Sequence, residues 1–219
     1  MLFADRPTSR ASGEPSIRRA FNAIYSVLEW CRVVRKGGGA CAFLREIRSA
    51  APMSIALASV GIYDAAFLNL RYSVECLLSY LYFRDHPREL ELAENDEDMW
   101  VLTRPKTVVQ FLRKLPEYES QVASSVLSQV YSLYQDLCKH AHPRSTKRMR
   151  FRKHLIDLNP TASEATEYAQ VVLRLSRCAC ALLRFTDRTA FERASETTQY
   201  TMMRTVAADF RRKVELVLR

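Results

Sequence analysis

The 219 residues carry 33 Lys and Arg against 24 Asp and Glu, a net charge of +9. A chain of this length buries a core without disulfide or metal staples, and only five glycines and eight prolines argue against turn-rich β structure. The positive balance suits an acidic partner such as nucleic acid, although 26 Arg against 7 Lys is equally the skew of a GC-rich genome.

Residues 1–14 are polar and contain Pro, Ser and Gly, which reads as a flexible N-terminal arm. The single domain is expected over 15–219. Pro15 suits a first helical turn, and Ile17, Phe21, Ile24, Leu28 and Cys31 recur at helical spacing. Gly37, Gly38 and Gly39 end that helix, and a short helix is expected over 40–49. Pro52 opens the longest helical stretch, to about Phe83. Its stripe of Ala56, Val60, Tyr63, Phe67, Leu70, Val74 and Leu77 marks the central core helix. Gly61 inside it signals a break or a close helix contact.

Residues 89–98 hold six acidic side chains in ten, the pattern of a solvated loop or short helix. A helix from about Pro105 to Leu115 follows, and after Pro116 another runs to His142, where Pro143 stops it. Thr161 and Glu164 resemble a helix N-terminus; Val171, Val172, Leu175, Cys178 and Leu182 give that helix its apolar face. A last helix is expected over 195–218. No useful period-two alternation occurs, so the expected fold is an all-α, antiparallel helical bundle.

The six cysteines, Cys31, Cys41, Cys76, Cys138, Cys178 and Cys180, form no C-x2-C pair. Most lie in apolar stretches, where a thiol acts as a small hydrophobe; reduced thiols in a cytoplasmic protein are expected. No secretory h-region is present. Charge-free runs such as 49–63 fall short of the roughly 20 residues that span a bilayer. Phosphate-loop, zincin, nucleophile-elbow and EF-hand patterns are absent, so no metal or cofactor is expected.

Two places hint at a site. The segment 131–143, YSLYQDLCKHAHP, ends a helix with His140 and His142. Imidazoles there titrate near neutral pH and are stabilised as cations by the helix dipole. Upstream, Arg71 and Glu75 in LRYSVECLL share one helix face. Structural readings stand beside these: His140 and His142 as C-caps, Arg71 and Glu75 as a structural ion pair, and Lys139 and His86 as helix-end groups.

The order LRYSVECLL, YLYFRDHPRE and YSLYQDLCKHAHP resembles the HEPN superfamily of helical bundles, in particular its defence-associated branch whose helix ends in a Y..LS..vHp pattern. The resemblance covers about residues 52–143. It implies a four- or five-helix bundle, often dimeric, within a bacterial defence or toxin-type system. In active members an Arg precedes a His at R-x4–6-H spacing and forms a metal-independent ribonuclease site. Here that Arg is missing. Leu137, Asp136 and Gln135 precede His142, and Gln135, Tyr134 and Leu133 precede His140, at the corresponding positions. Arg71 from the central helix is the candidate replacement, with Glu75 orienting it or the His. Arg148 and His154 match the spacing in a different place, as chance allows in an Arg-rich chain.

The basic segment after His142 carries Arg144, Lys147, Arg148, Arg150, Arg152 and Lys153. These are the candidate phosphate contacts, with Phe151 able to stack on a base. The expected partner is RNA or a nucleoprotein, and the expected assembly a homodimer or part of a hetero-complex. A second reading is a non-catalytic module that docks onto a partner enzyme, favoured by the missing Arg and by the acidic 89–98 and basic 144–154 segments.

Overall fold

The computed structural model describes residues 10–34, 38–96, 104–141 and 161–205. Among them are nine α-helices and no strand: α1 (Arg10–Val33), α2 (Cys41–Ser59), α3 (Tyr63–Phe83), α4 (Pro87–Asn95), α5 (Pro105–Leu112), α6 (Gln121–Ala141), α7 (Ala162–Thr186), α8 (Arg188–Arg193) and α9 (Glu196–Thr205). The all-α bundle read from the sequence is the fold.

Five long helices form its body, and successive ones alternate in direction. Ser54 and Glu46 of α2 meet Ala66 and Tyr72 of α3 in reverse order, as do Phe67 and Arg71 of α3 with His140 and Tyr134 of α6. His140 and Asp136 then meet Glu167 and Arg174 of α7, again antiparallel. After four reversals α7 points the same way as α1 and lies beside it, with Ser16 next to Thr166. The ring α1–α2–α3–α6–α7 therefore closes on itself, with α3 also touching α7 across the middle.

Several boundaries differ from the sequence reading. Helix α1 begins at Arg10, inside the stretch read as an arm, and takes Pro15 into its interior. Helix α2 runs through Pro52 instead of ending before it. Ala50, Ala51, Ser54 and Ile55 around that proline are buried, so tertiary packing outweighs the lost backbone hydrogen bond. The break falls at Gly61, whose φ of +83° is open to glycine at little steric cost. Gly61 and Ile62 return their N–H groups to the Ala58 and Leu57 carbonyls, which lets α3 fold back on α2. Of the two readings for the acidic segment, the short helix is found over its first residues, as part of α4, with Leu90 and Ala93 reaching the core. The region from 195 opens with α9, preceded by the separate short α8; beyond 205 it lies outside the described residues.

The core is one contiguous cluster centred on α3, whose second half is buried nearly all round from Cys76 to Phe83. Two polar ties cross it. Ser54 Oγ donates to the Ala66 carbonyl at 2.8 Å and lies 2.7 Å from Tyr168 Oη. One hydroxyl carries one proton, so Tyr168 is the donor to Ser54. At the other end Tyr80 Oη donates to Asp187 Oδ2 at 2.8 Å, and Arg84 Nη1 donates to Asp187 Oδ1 at 3.1 Å and to the Thr186 carbonyl at 2.8 Å. Thr186 Oγ1 donates to the Leu182 carbonyl at 2.7 Å and accepts from Tyr118 Oη. The Thr161–Glu164 capping box starts α7 as the sequence pattern predicts.

The Asp187 side chain is 2 % exposed. Asp187→Ala removes a carboxylate that accepts from both Tyr80 and Arg84. Arg84 keeps Asp85 and the Thr186 carbonyl, so the cost is that of lost buried hydrogen bonds, about 1–3 kcal/mol. Urea unfolding of that variant is expected to show a loss of this size; a loss below about 1 kcal/mol, the value of an exposed pair, contradicts the assignment.

Candidate functional site

The residues singled out from the sequence divide into a described set and one that is not. Arg71, Glu75 and His140 are described. His142, Arg144, Lys147, Arg148, Arg150, Arg152 and Lys153 lie outside the described residues, as do Phe151 and His154.

The described set shares the seam between α3 and α6. Arg71 and Glu75 are one turn apart on α3 and join there, Arg71 Nε donating to Glu75 Oε1 at 3.0 Å. Their side chains are 23 % and 31 % exposed, so the pair meets solvent and is not sealed in the core. The Arg71 guanidinium carbon lies 5.8 Å from the centroid of the Tyr134 ring on α6, within reach of a cation–π attraction. Phe67, one turn before Arg71, stacks on the His140 ring at 4.1 Å and 17°. His140 Nε2 is 3.7 Å from Glu167 Oε1 of α7, a separation at which the two attract when the imidazole is protonated. The seam thus presents, in order along α3, an imidazole on Phe67 and a guanidinium–carboxylate pair on Tyr134.

The phenols of the seam are acids held in their neutral form. Burial and a hydrogen bond with Cys138 raise the Tyr134 hydroxyl, and burial, with Cys76 and Glu46 nearby, raises that of Tyr72. Neither serves as a base near neutral pH. Among the described residues of the seam, the groups with the chemistry for proton transfer are the His140 imidazole and the Glu75 carboxylate.

Phe67, Tyr134 and Glu167 were not singled out from the sequence. Phe67 was read as core, which it is; its second role as a platform for His140 depends on the α3–α6 register. The i, i+4 series Phe67, Arg71, Glu75 is visible in the sequence and is the one signal that joins the two turns. His86 meets its helix-end reading: its Nδ1 lies 2.7 Å from the Tyr82 carbonyl in the last turn of α3. Lys139 pairs with Asp136 at 2.7 Å and is 53 % exposed, the solvated cation expected.

The cysteines behave as small hydrophobes. Cys31, Cys76, Cys178 and Cys180 are buried, and none of the described residues forms a group of three or more His, Cys, Asp or Glu that could hold a metal ion. Burial pushes the Cys31 thiol from 9.0 to about 12 and those of Cys76 and Cys178 to about 11. These groups keep their protons in the folded chain and release them above pH 9 in the unfolded one. By linkage, stability is unaffected by them below pH 9 and falls as pH rises towards 11 and 12. Calorimetry from pH 8.5 to 11 is expected to show Tm falling with pH, with all four thiols unalkylated at pH 8.5 in the native protein. A level Tm over that range, or rapid labelling of Cys31, contradicts this.

No helix among the described residues is long and apolar enough to cross a membrane. In comparisons with known proteins, no family model, no curated protein and no solved structure matches the chain.

Proposed function

We propose that the chain is a HEPN-like RNA-binding protein of a defence or toxin-type system, acting as a metal-independent ribonuclease with His142 and Arg71. One observation carries the reading: the end of α6 that leads into His142 packs against α3 one turn from Arg71, through the His140–Phe67 stack. In this reading Arg71, from the facing helix, takes the place of the missing local Arg of the R-x4–6-H pattern.

In this scheme the imidazole of His142 accepts the proton of a ribose 2′-hydroxyl, the 2′-oxygen attacks the adjacent phosphorus, and the bond to the 5′-oxygen breaks. The proton is returned to that leaving oxygen. Arg71 steadies the charge on the phosphate, and Glu75 holds the guanidinium in place. The products are a 2′,3′-cyclic phosphate and a 5′-hydroxyl. The basic residues Arg144, Lys147, Arg148, Arg150, Arg152 and Lys153, which follow His142 in sequence, draw the RNA backbone to the site with strong salt dependence.

The test is cleavage of labelled single-stranded RNA by the full chain in EDTA. His142→Ala is expected to lower the rate by about 10²–10⁴-fold and Arg71→Gln by about 10²-fold. The Arg71–Glu75 pair is partly exposed, so Arg71→Gln should cost under about 1 kcal/mol of stability and leave the fold intact for assay. Full activity in His142→Ala sinks the catalytic assignment.

A second reading, a non-catalytic module docked on a partner enzyme, is favoured by the existing engagement of Arg71 with Glu75. Under it, purified wild-type chain leaves RNA uncut. Charge reversal at Arg148, Arg150 and Arg152 then dissociates the partner complex, while His142→Ala does not.

A further inference from the structure

Beside the Arg71–Glu75 pair the surface opens into a cleft of about 440 Å3 bounded by α2, α3, α6 and the start of α5. Its walls include the rings of Phe43, Tyr72 and Tyr134, and its polar groups include Glu75, Ser79 and Arg104. We infer that this cleft binds a small planar organic anion, an aromatic ring system bearing one carboxylate. The inference is independent of the RNA reading and goes beyond it.

Size sets the first limit. Small-molecule sites run from roughly 300 to 1,000 Å3, so a cleft of about 440 Å3 suits one or two fused rings with a short substituent. Shape and rigidity set the second. Phe43 is stacked on Phe83, with centroids 5.8 Å apart and planes at 11°. Tyr72 Oη donates to Glu46 Oε2 at 3.3 Å. Tyr134 is fixed between its hydrogen bond with Cys138 and the Arg71 guanidinium. The rings are therefore held before any ligand arrives, which lowers the ordering cost of binding, and flat aromatic surfaces favour a flat guest.

Charge sets the third. Glu75 is already neutralised by Arg71 at 3.0 Å. No ion pair or hydrogen bond joins Arg104 to another described residue, so among the described lining residues its positive charge is the one without a counter-charge. Arg104 directly precedes α5 (Pro105–Leu112), and the positive end of that helix dipole reinforces the same rim. A single carboxylate satisfies this arrangement. The second charge of a phosphate finds no further cation among the described lining residues, so the geometry favours the monoanion.

The experiment is isothermal titration calorimetry of the full chain at pH 7 with 2-naphthoate, its neutral analogue 2-naphthamide, and AMP. The expected result is saturable binding of 2-naphthoate, at least about tenfold weaker binding of the amide through loss of the charge-assisted hydrogen bond, and weaker binding of AMP. Arg104→Gln, at an exposed position, is expected to weaken 2-naphthoate by about tenfold, with its circular dichroism unchanged. Tyr72→Ala is expected to weaken acid and amide alike, because it removes a wall and not a charge. Equal affinity for acid and amide, an unchanged affinity in Arg104→Gln, or no saturable heat with any of the three probes would overturn the inference. Tighter binding of AMP than of 2-naphthoate would overturn the monoanion and assign the cleft to a nucleotide.

Discussion

A carboxylate at 2 % exposure is tolerated only with partners, and the partners of Asp187 dictate how the chain docks. Tyr80 and Arg84 come from the last turn of α3 and the residue after it, while Asp187 stands between α7 and α8. The end of α3 is thereby fixed to the end of α7. Near the other end the Ser54–Tyr168 bond and the Ser54–Ala66 bond tie α2, α3 and α7 together. Apolar contact alone tolerates sliding, since Leu, Val and Ala along a stripe are nearly interchangeable neighbours. Directional hydrogen bonds at both ends remove that freedom.

The fixed register of α3 is what gives its outer face any geometry. One side of the helix fills the core with Leu70, Val74, Leu77 and Leu78, and another carries Arg71, Tyr72 and Glu75 to the seam with α6 and to the cleft beside it. A displacement of α3 by one turn would part His140 from Phe67 and Arg71 from Tyr134 together. The polar ties inside the bundle and the polar groups at its surface thus share one mechanical element, although they lie on different faces of it.

Fold class was legible because helical periodicity is a local property. The stripes through Ile17, Ile24 and Leu28, and through Phe67, Leu70 and Val74, needed no knowledge of the rest of the chain, whereas Phe21 and Val60, which the same spacing put in those stripes, are exposed. The Thr161–Glu164 box was legible for the same reason. Boundaries were less so where packing overrode local chemistry: Pro52 sits inside α2, and Arg10 already belongs to α1. Of the site, the Arg71–Glu75 pair could be read from its four-residue spacing. The Phe67–His140 stack joins residues from two helices and depends on their relative register, which no local pattern encodes. Asp187 gave no signal, because one Asp in a polar stretch looks like any surface carboxylate until the fold surrounds it. The cleft was hidden likewise, since Phe43, Arg104 and Tyr134 come from three separate parts of the chain.

The closure of the ring by α1 and α7 has a consequence for synthesis on the ribosome. Ser16 and Thr166, neighbours in the folded protein, are 150 residues apart. Ala20, Ile24, Val27 and Trp30 of α1 are buried, and the α7 half of their enclosure does not yet exist when they emerge. At translation rates of about 5–20 residues per second, that interval is roughly 8–30 s. During it the first helix of the nascent chain has an incomplete nest for its apolar face, a binding surface open to a chaperone or to the same face of another nascent chain. The order of helices therefore makes α1, among the described helices, the one that waits longest for its packing partners.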